Sequence, residues 1–359
     1  MRDLDFNYII VRGGADFGKI CPAQDSAPTV RINDGDVKSS LSGTFLPVLF
    51  DFNNKPMEGA EIDWFSDKIR AEIVIDGIAY PIGVFLPATV IQSEDVEGTG
   101  MTTMEVEAYD QCWQVKDYCA DSSKYFAAET NYISVITQLL TEAGISLVSP
   151  TASSATLTEA REDWELGTSY LEIINQLLSE INYKPLWFNG SGVAILEPAF
   201  VPTAVNVNHV IDATDPEVLV RPGITRQVDA YSSPNVFVCI CSNADKEEPM
   251  IATAENTNPQ SPLSIQRRGR RIMKVEYVDN IASQEELQVY ANKLVNDSLI
   301  AAETILVTTG LLPGYGVEDV ISLQYGDLFT VCVEKGWTME LQIGGKMSHV
   351  LEKVVFNLG

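Results

Sequence analysis

Residues 164–198, WELGTSYLEIINQLLSEINYKPLWFNGSGVAILEP, restrict the fold more than any other stretch of this chain. Ser169 and Glu172 have the S-x-x-E spacing of a capping box, whose hydroxyl and carboxylate satisfy orphan backbone N–H groups at a helix start. Leu171, Ile174, Leu177, Leu178 and Ile181 then fall on one stripe of a helical period. Asn182 suits the position just past a helix, and Pro185 cannot continue one. Residues 186–188 and 193–196 are short apolar runs around Asn189, Gly190, Ser191 and Gly192, which predicts a β-hairpin. The unit is therefore a capped helix followed by a hairpin. Residues 135–145, VITQLLTEAGI, echo 173–183, IINQLLSEINY. Internal duplication and shared helix composition both account for that echo.

The chain has 359 residues, room for two or three domains, and 45% of them are apolar, enough for proper cores. No apolar run is long enough to cross a bilayer as a helix, so no membrane insertion is expected. The start, MRDLDFNYIIVRGG, lacks the basic and apolar layout of a signal peptide, which predicts synthesis in the cytoplasm. None of the six cysteines forms a C-x-x-C pair; Cys239 and Cys241 share one side of a strand-like run and read as buried thiols. Two histidines, His209 and His349, leave little for histidine catalysis or a metal site. With 24 basic and 50 acidic residues, the net charge is −26, so most of the surface repels nucleic acid.

The expected class is mainly β with an α+β insert: two antiparallel β-barrel-like domains flanking a small helix-and-hairpin domain. Residues 1–112 form the first β-domain, with strands at 6–12, 29–32, 69–75, 78–86, 89–92 and 101–109 and a hairpin turn at Asp76-Gly77. Residues 113–204 form the insert. Residues 205–235 are expected to return to the first barrel. Residues 236–359 form the second β-domain, in which 244–262 reads as an exposed polar loop and 271–278 as a strand. Ser283 and Glu286 open its one helix, with Leu287, Tyr290, Leu294, Val295 and Leu299 on one face.

Residues 13–19, GGADFGK, fit G-x-x-x-x-G-K, but Ile20, Cys21 and Pro22 follow where a phosphate loop needs a hydroxyl and a helix. A glycine turn between strands explains the run better. The pairs Glu61/Asp63 and Glu162/Asp163 have the composition of a glycosidase site, yet carboxylate pairs are commonplace among 50 acids. There is no H-E-x-x-H or G-x-S-x-G, and Trp113, Trp164 and Trp187 read as core anchors. No catalytic, cofactor-binding or metal-ligating residue is assigned. The one basic cluster is Arg267, Arg268, Arg270 and Arg271, read as a protein–protein contact, with a solvated turn and nucleic-acid binding as the other accounts.

Several segments together resemble the central hub proteins of phage tail baseplates, the late-control-D-like and PBSX-type prophage tail group. They are IDGIAYPIGVF at 75–85, EAYD at 107–110, the helix and hairpin of 164–197, the helix at 287–300, the strand at 305–309, and Gly326-Asp327. The resemblance implies a homotrimer in which each copy supplies two related barrels. Such a ring has a pseudo-six-fold outline and joins the tail tube protein to the central spike protein. Other baseplate proteins, and the tape measure protein, are its further implied neighbours, in a virion or a tailocin-like contractile particle. Sequence-specific nucleic acid is not among them. No fused lytic domain follows the second β-domain, so this copy is not expected to cut cell wall. A tail-tip adaptor and a tail-associated cell-wall hydrolase are the alternative roles.

Overall fold

The computed structural model describes residues 3–94, 102–122, 124–161, 164–199, 202, 205–228, 233–241, 249–259, 261–278, 281, 283–300 and 303–354, without the side chains of residues 297, 299 and 300. The chain forms two compact units. One comprises Met1–Phe200, Leu311–Gly316 and Gly336–Met347; the other comprises Val201–Gly310, Val317–Lys335 and Ser348–Gly359.

The first unit begins with β1 (Leu4–Arg12), β2 (Ala15–Ile20), β3 (Thr29–Asn33), β4 (Ser39–Phe45), β5 (Lys68–Ile75), β6 (Ile78–Glu94) and β7 (Thr102–Asp110). They pair antiparallel in the order β3-β4-β7-β6-β5-β1-β2. Residues 336–340 add a further antiparallel strand beside β3, with Trp337 opposite Ile32. The core alternates along the strands, with Ile69, Ala71 and Ile73 of β5 and Met104, Val106 and Ala108 of β7 all buried. Pro87 does not end β6. Pairing with β7 runs on past it with a register shift between Pro87 and Thr89, because a bulge accommodates the missing donor. β2 and β4 are legible only in the structure; SSLSGTF is too polar to read as a strand, yet Ser39, Leu41 and Phe45 are buried.

The helix-and-hairpin part of this unit is α1 (Gln111–Asp117), α2 (Tyr132–Glu142), β8 (Val148–Pro150), α3 (Tyr170–Glu180), β9 (Trp187–Phe188) and β10 (Ala194–Leu196). The Ser169 hydroxyl accepts from the Glu172 N–H at 3.2 Å, as the spacing predicts, and Asn131 caps α2 in the same way. Gly144 and Asn182 follow the two helices with positive φ. Both helices face one core with Cys112, Leu186, Ala194 and Leu196. β9 and β10 form the predicted hairpin, and β8 adds a parallel strand beside β10. The hairpin turn lies against β6: a Cβ on Gly190 would fall 2.0 Å from the Pro81 carbonyl oxygen, so no other residue fits there.

The second unit holds β11 (His209–Asp212), β12 (Thr225–Gln227), β13 (Val236–Cys241), β14 (Met250–Glu255), α4 (Ile265–Arg268), β15 (Met273–Val278), α5 (Gln284–Ile300), β16 (Thr304–Thr309), β17 (Val320–Tyr325), β18 (Leu328–Glu340) and β19 (Met347–Lys353). From Gly336 on, β18 belongs to the first unit. Residues 205–235 do not complete the first barrel. β11 pairs in parallel with β17 and β12 pairs antiparallel with β16, both in the second unit. Conversely, the second β-domain does not keep all of 236–359, since Leu311–Gly316 and Gly336–Met347 belong to the first unit. Such pairings are set by distant partners and leave no local mark in the sequence.

β13, β14 and β15 form a separate three-stranded sheet in the order β14-β13-β15. Leu287 and Ala291 of α5 pack on Cys239, Cys241, Met250, Ala252 and Ala254, and both thiols are fully buried. The Ser283 hydroxyl caps α5 by accepting from Glu286 N–H. The side chain of Leu299, expected on the apolar face of the helix, lies outside the described residues. The loop expected at 244–262 is instead interrupted by β14. Its alanines have weak strand propensity, and Pro249, Pro259 and Pro262 flank the strand rather than enter it.

Candidate assembly surface

The four arginines singled out in the sequence sit on a loop that is tied down from beneath. Asn235 is fully buried at the foot of β13. Its Nδ2 donates to the carbonyls of Leu263 (3.1 Å) and Arg270 (3.0 Å), and its Oδ1 accepts from Ile272 N–H at 2.7 Å. Asn256, also buried, donates to the Ser261 hydroxyl at 2.9 Å and accepts from Asn258 N–H. The Ser264 hydroxyl caps the single turn of α4, and Gly269 closes it with φ 65°. Buried asparagines with every polar atom bonded hold an irregular loop in one shape. The loop is therefore an arch that presents Arg267, Arg270 and Arg271 outward.

On that arch Arg267, Arg270 and Arg271 are exposed and Arg268 is half-buried. Arg268 donates to the Ser233 carbonyl. Arg271 Nη2 lies 2.6 Å from Glu255 Oε1 at the end of β14. Glu255 pairs with Val236, and Val236 pairs with Met273 of β15, so the ion pair links the end of β14 to the chain two residues before β15. The structure thus brings Arg268 and Arg271 into local bonds and leaves Arg267 pointing to solvent.

The strand that leaves the arch has an inverted pattern. In β15, Met273, Val275 and Tyr277 alternate with Lys274 and Glu276. Such an alternation predicts apolar side chains toward the core. The parallel register with β13 does the reverse. Lys274 pairs with Phe237 and Glu276 with Cys239, on the side where α5 packs against β13 and β14, with Lys274 itself exposed beyond the helix, while Met273, Val275 and Tyr277 share the opposite face with Val236, Val238 and Ile240. Ile251 of β14 joins them opposite Ile240. Met273 is 58% exposed, Tyr277 78% and Ile251 54%. Reading the sequence alone finds the strand but not its facing, because facing follows from register with a distant partner.

The other sequence candidates resolve into structural parts. Gly13 and Gly14, with φ 58° and 83°, make the turn between β1 and β2, and no helix follows. The Asp63 carboxylate accepts from Phe65 N–H and the Ser66 hydroxyl, which holds it below the usual carboxylate range, while the Glu61 carbonyl accepts from Arg12. Glu162 and Asp163 lie outside the described residues. Trp164 is buried and donates to Gln176 Oε1 at 2.9 Å. Trp187 is half-buried. Trp113 lines a groove of about 490 Å³ with Trp64, Phe65, Pro87 and Tyr118, rather than anchoring a core. Asp67 in that groove is held by Arg12, and Gln114 bonds Lys68 and the Ala143 carbonyl. His209 Nε2 lies 3.1 Å from Asp319, and His349 Nδ1 lies 2.6 Å from the buried Glu334. Among the described residues, no group of His, Cys, Asp and Glu is arranged to hold a metal ion.

No protein-family model matches the chain, and no curated protein matches it in sequence. Solved structures do. The tail protein from Neisseria meningitidis MC58 superposes with a TM-score of 0.66 at 12% identity, covering 97% of this chain and 96% of its own. The 43 kDa tail protein of prophage MuSo2 from Shewanella oneidensis gives 0.65 at 12% identity, covering 97% and 98%. Prophage tail protein gp18 from Listeria monocytogenes EGD-e gives 0.56 at 11% identity, covering 96% and 94%. The chain therefore has, over nearly its whole length, the mainly β fold found in these phage tail proteins.

Proposed function

We propose that this protein is a structural subunit of a phage tail or tail-like particle and serves as the central hub of its baseplate. The observation that carries this reading is that solved tail proteins superpose on 97% of the chain. The order of strands, helix-and-hairpin and further strands supports the finer assignment. Three copies close a ring in which each contributes two β-rich units. The ring joins the tail tube protein to the central spike protein and meets other baseplate proteins around it. The subunit is made in the cytoplasm, built into the particle and acts mechanically, without catalysis. The net charge of −26 suits a channel wall that must not retain DNA or cargo, because like charge limits sticking within a screening length.

Electron microscopy of the purified protein, alone and with the spike protein, tests the reading. It predicts rings with a central hole and a pseudo-six-fold outline. Particles with no ring in either sample contradict it. A peptidoglycan turbidity assay is expected to show no clearing, and clearing would favour the hydrolase role instead.

A further inference from the structure

Among the described residues, α5 covers one face of the sheet of β13, β14 and β15. A sheet face left to water normally carries polar side chains. Here the uncovered face carries Val238, Ile240, Ile251, Met273, Val275 and Tyr277, with only Thr253 and Glu255 as polar members. The charged pair of β15, Lys274 and Glu276, is placed on the helix side, 2.6 Å apart. A one-residue slip would exchange the two sets. The observed register therefore exposes the apolar set of an edge strand, an arrangement that in water alone is an aggregation hazard.

Charge says what covers it. A chain with 24 basic and 50 acidic residues repels its own copies at long range. Copies can meet only where the sign of the surface reverses locally, and Arg267, Arg268, Arg270 and Arg271 are the one basic cluster in the sequence. The arch places that cluster at the end of the sheet where β15 begins. Its Arg271 pairs with Glu255 at the end of β14, and Val236, opposite Glu255, is fully buried. An apolar centre with a basic margin on an otherwise acidic molecule is complementary to another acidic copy.

We infer that the apolar face of this sheet, with Arg267 and Arg270 at its margin, is the surface on which a neighbouring copy of the same chain docks. The inference rests on the ring reading above and names the contact that closes the ring. The contact is heterologous: the face meets a different, acidic surface of the next copy, as a three-fold ring requires.

Two variants test it side by side with the unaltered protein by light scattering on a sizing column. Tyr277→Asp puts a charge in the centre of the face, and Arg267→Glu reverses the margin. Both side chains are exposed, so each variant is expected to fold with the far-UV circular dichroism spectrum of the unaltered protein. The expected result is an assembled unaltered protein, a monomeric Tyr277→Asp, and at least a tenfold weaker association for Arg267→Glu. If the unaltered protein and both variants assemble equally, this face is not the contact, and the ring reading survives without it. If the unaltered protein stays monomeric at every concentration, both alone and with the spike protein, the inference fails together with the ring reading. Hydrogen exchange on the unaltered protein gives a readout independent of the variants. Amides of 273–278 should slow as concentration drives assembly, and unchanged exchange while the mass rises overturns the inference.

Discussion

Asp110 and Ser39 are joined where the strands of the first unit hand over to its helices. Asp110 Oδ2 accepts from the Ser39 N–H at 2.7 Å and from its hydroxyl at 3.1 Å, while Oδ1 accepts from Cys112 N–H at 3.0 Å and so caps α1. One buried carboxylate thus ties β4 to the end of β7 and starts the helix that follows. Burial pushes this carboxyl up from its ordinary value of 3.8 to about 6, against the opposing pull of those hydrogen bonds. The native state therefore binds the proton more tightly than the unfolded chain. Stability from this group falls as pH rises from about 4 to about 6 and is level above. Asp110→Asn should remove that component, so that the difference in unfolding free energy between the two proteins changes by ~2–3 kcal/mol across the window. Urea titrations at several pH values measure it. A difference that does not vary with pH contradicts the assignment.

His349, Glu334 and Thr309 form a second buried polar chain, in the second unit. The Thr309 hydroxyl spends its one proton on the Gly310 carbonyl at 2.7 Å, so it accepts from His349 Nε2–H at 3.0 Å. His349 Nδ1 lies 2.6 Å from the buried Glu334 Oε2. Removing one partner strands the other's charge or donor in the interior. His349→Ala should cost about 3–5 kcal/mol. His349→Ala combined with Glu334→Ala should cost less than the sum of the two single changes. Additive losses in a double-mutant cycle would show that the pair is not coupled.

Asn235 bears the arginine arch on three hydrogen bonds. Asn235→Ala leaves two carbonyls and one N–H without that partner and should destabilise the second unit by about 2–4 kcal/mol. Proteolysis between residues 256 and 272 should accelerate in the variant more than elsewhere. Equal protection of this loop in both proteins would show that the arch is held by other means.

Gly190 is the point at which the 187–196 hairpin touches β6. Gly190→Ala forces a methyl against the Pro81 carbonyl and should cost about 1–3 kcal/mol as the two segments separate. An unchanged midpoint in urea would contradict this contact.

What could be read from the sequence was local chemistry. Ser169, Asn182, Pro185 and the Asn189–Gly192 turn each constrain their own neighbourhood, and the helix and hairpin of 164–198 follow from them. Cys239 and Cys241 are legible as buried for the same reason. The strand at 250–255 was hidden by its alanines and flanking prolines. The allegiance of 205–235 and of 336–347 was hidden because strand partners far along the chain decide it. The arginine cluster was visible as charge. Its arch was not, because the buried asparagines that hold it look like ordinary loop residues until their partners are known. The outward facing of Met273, Val275 and Tyr277 runs against their own alternation and is imposed by β13.

The central claim is that the subunit works as a closed ring, and its native mass in solution tests that most directly. Light scattering across a concentration series is expected to give three times the 39.4 kDa chain mass for the protein alone and that mass plus the spike's when the spike protein is added. A mass that stays at 39.4 kDa in both series would contradict the hub.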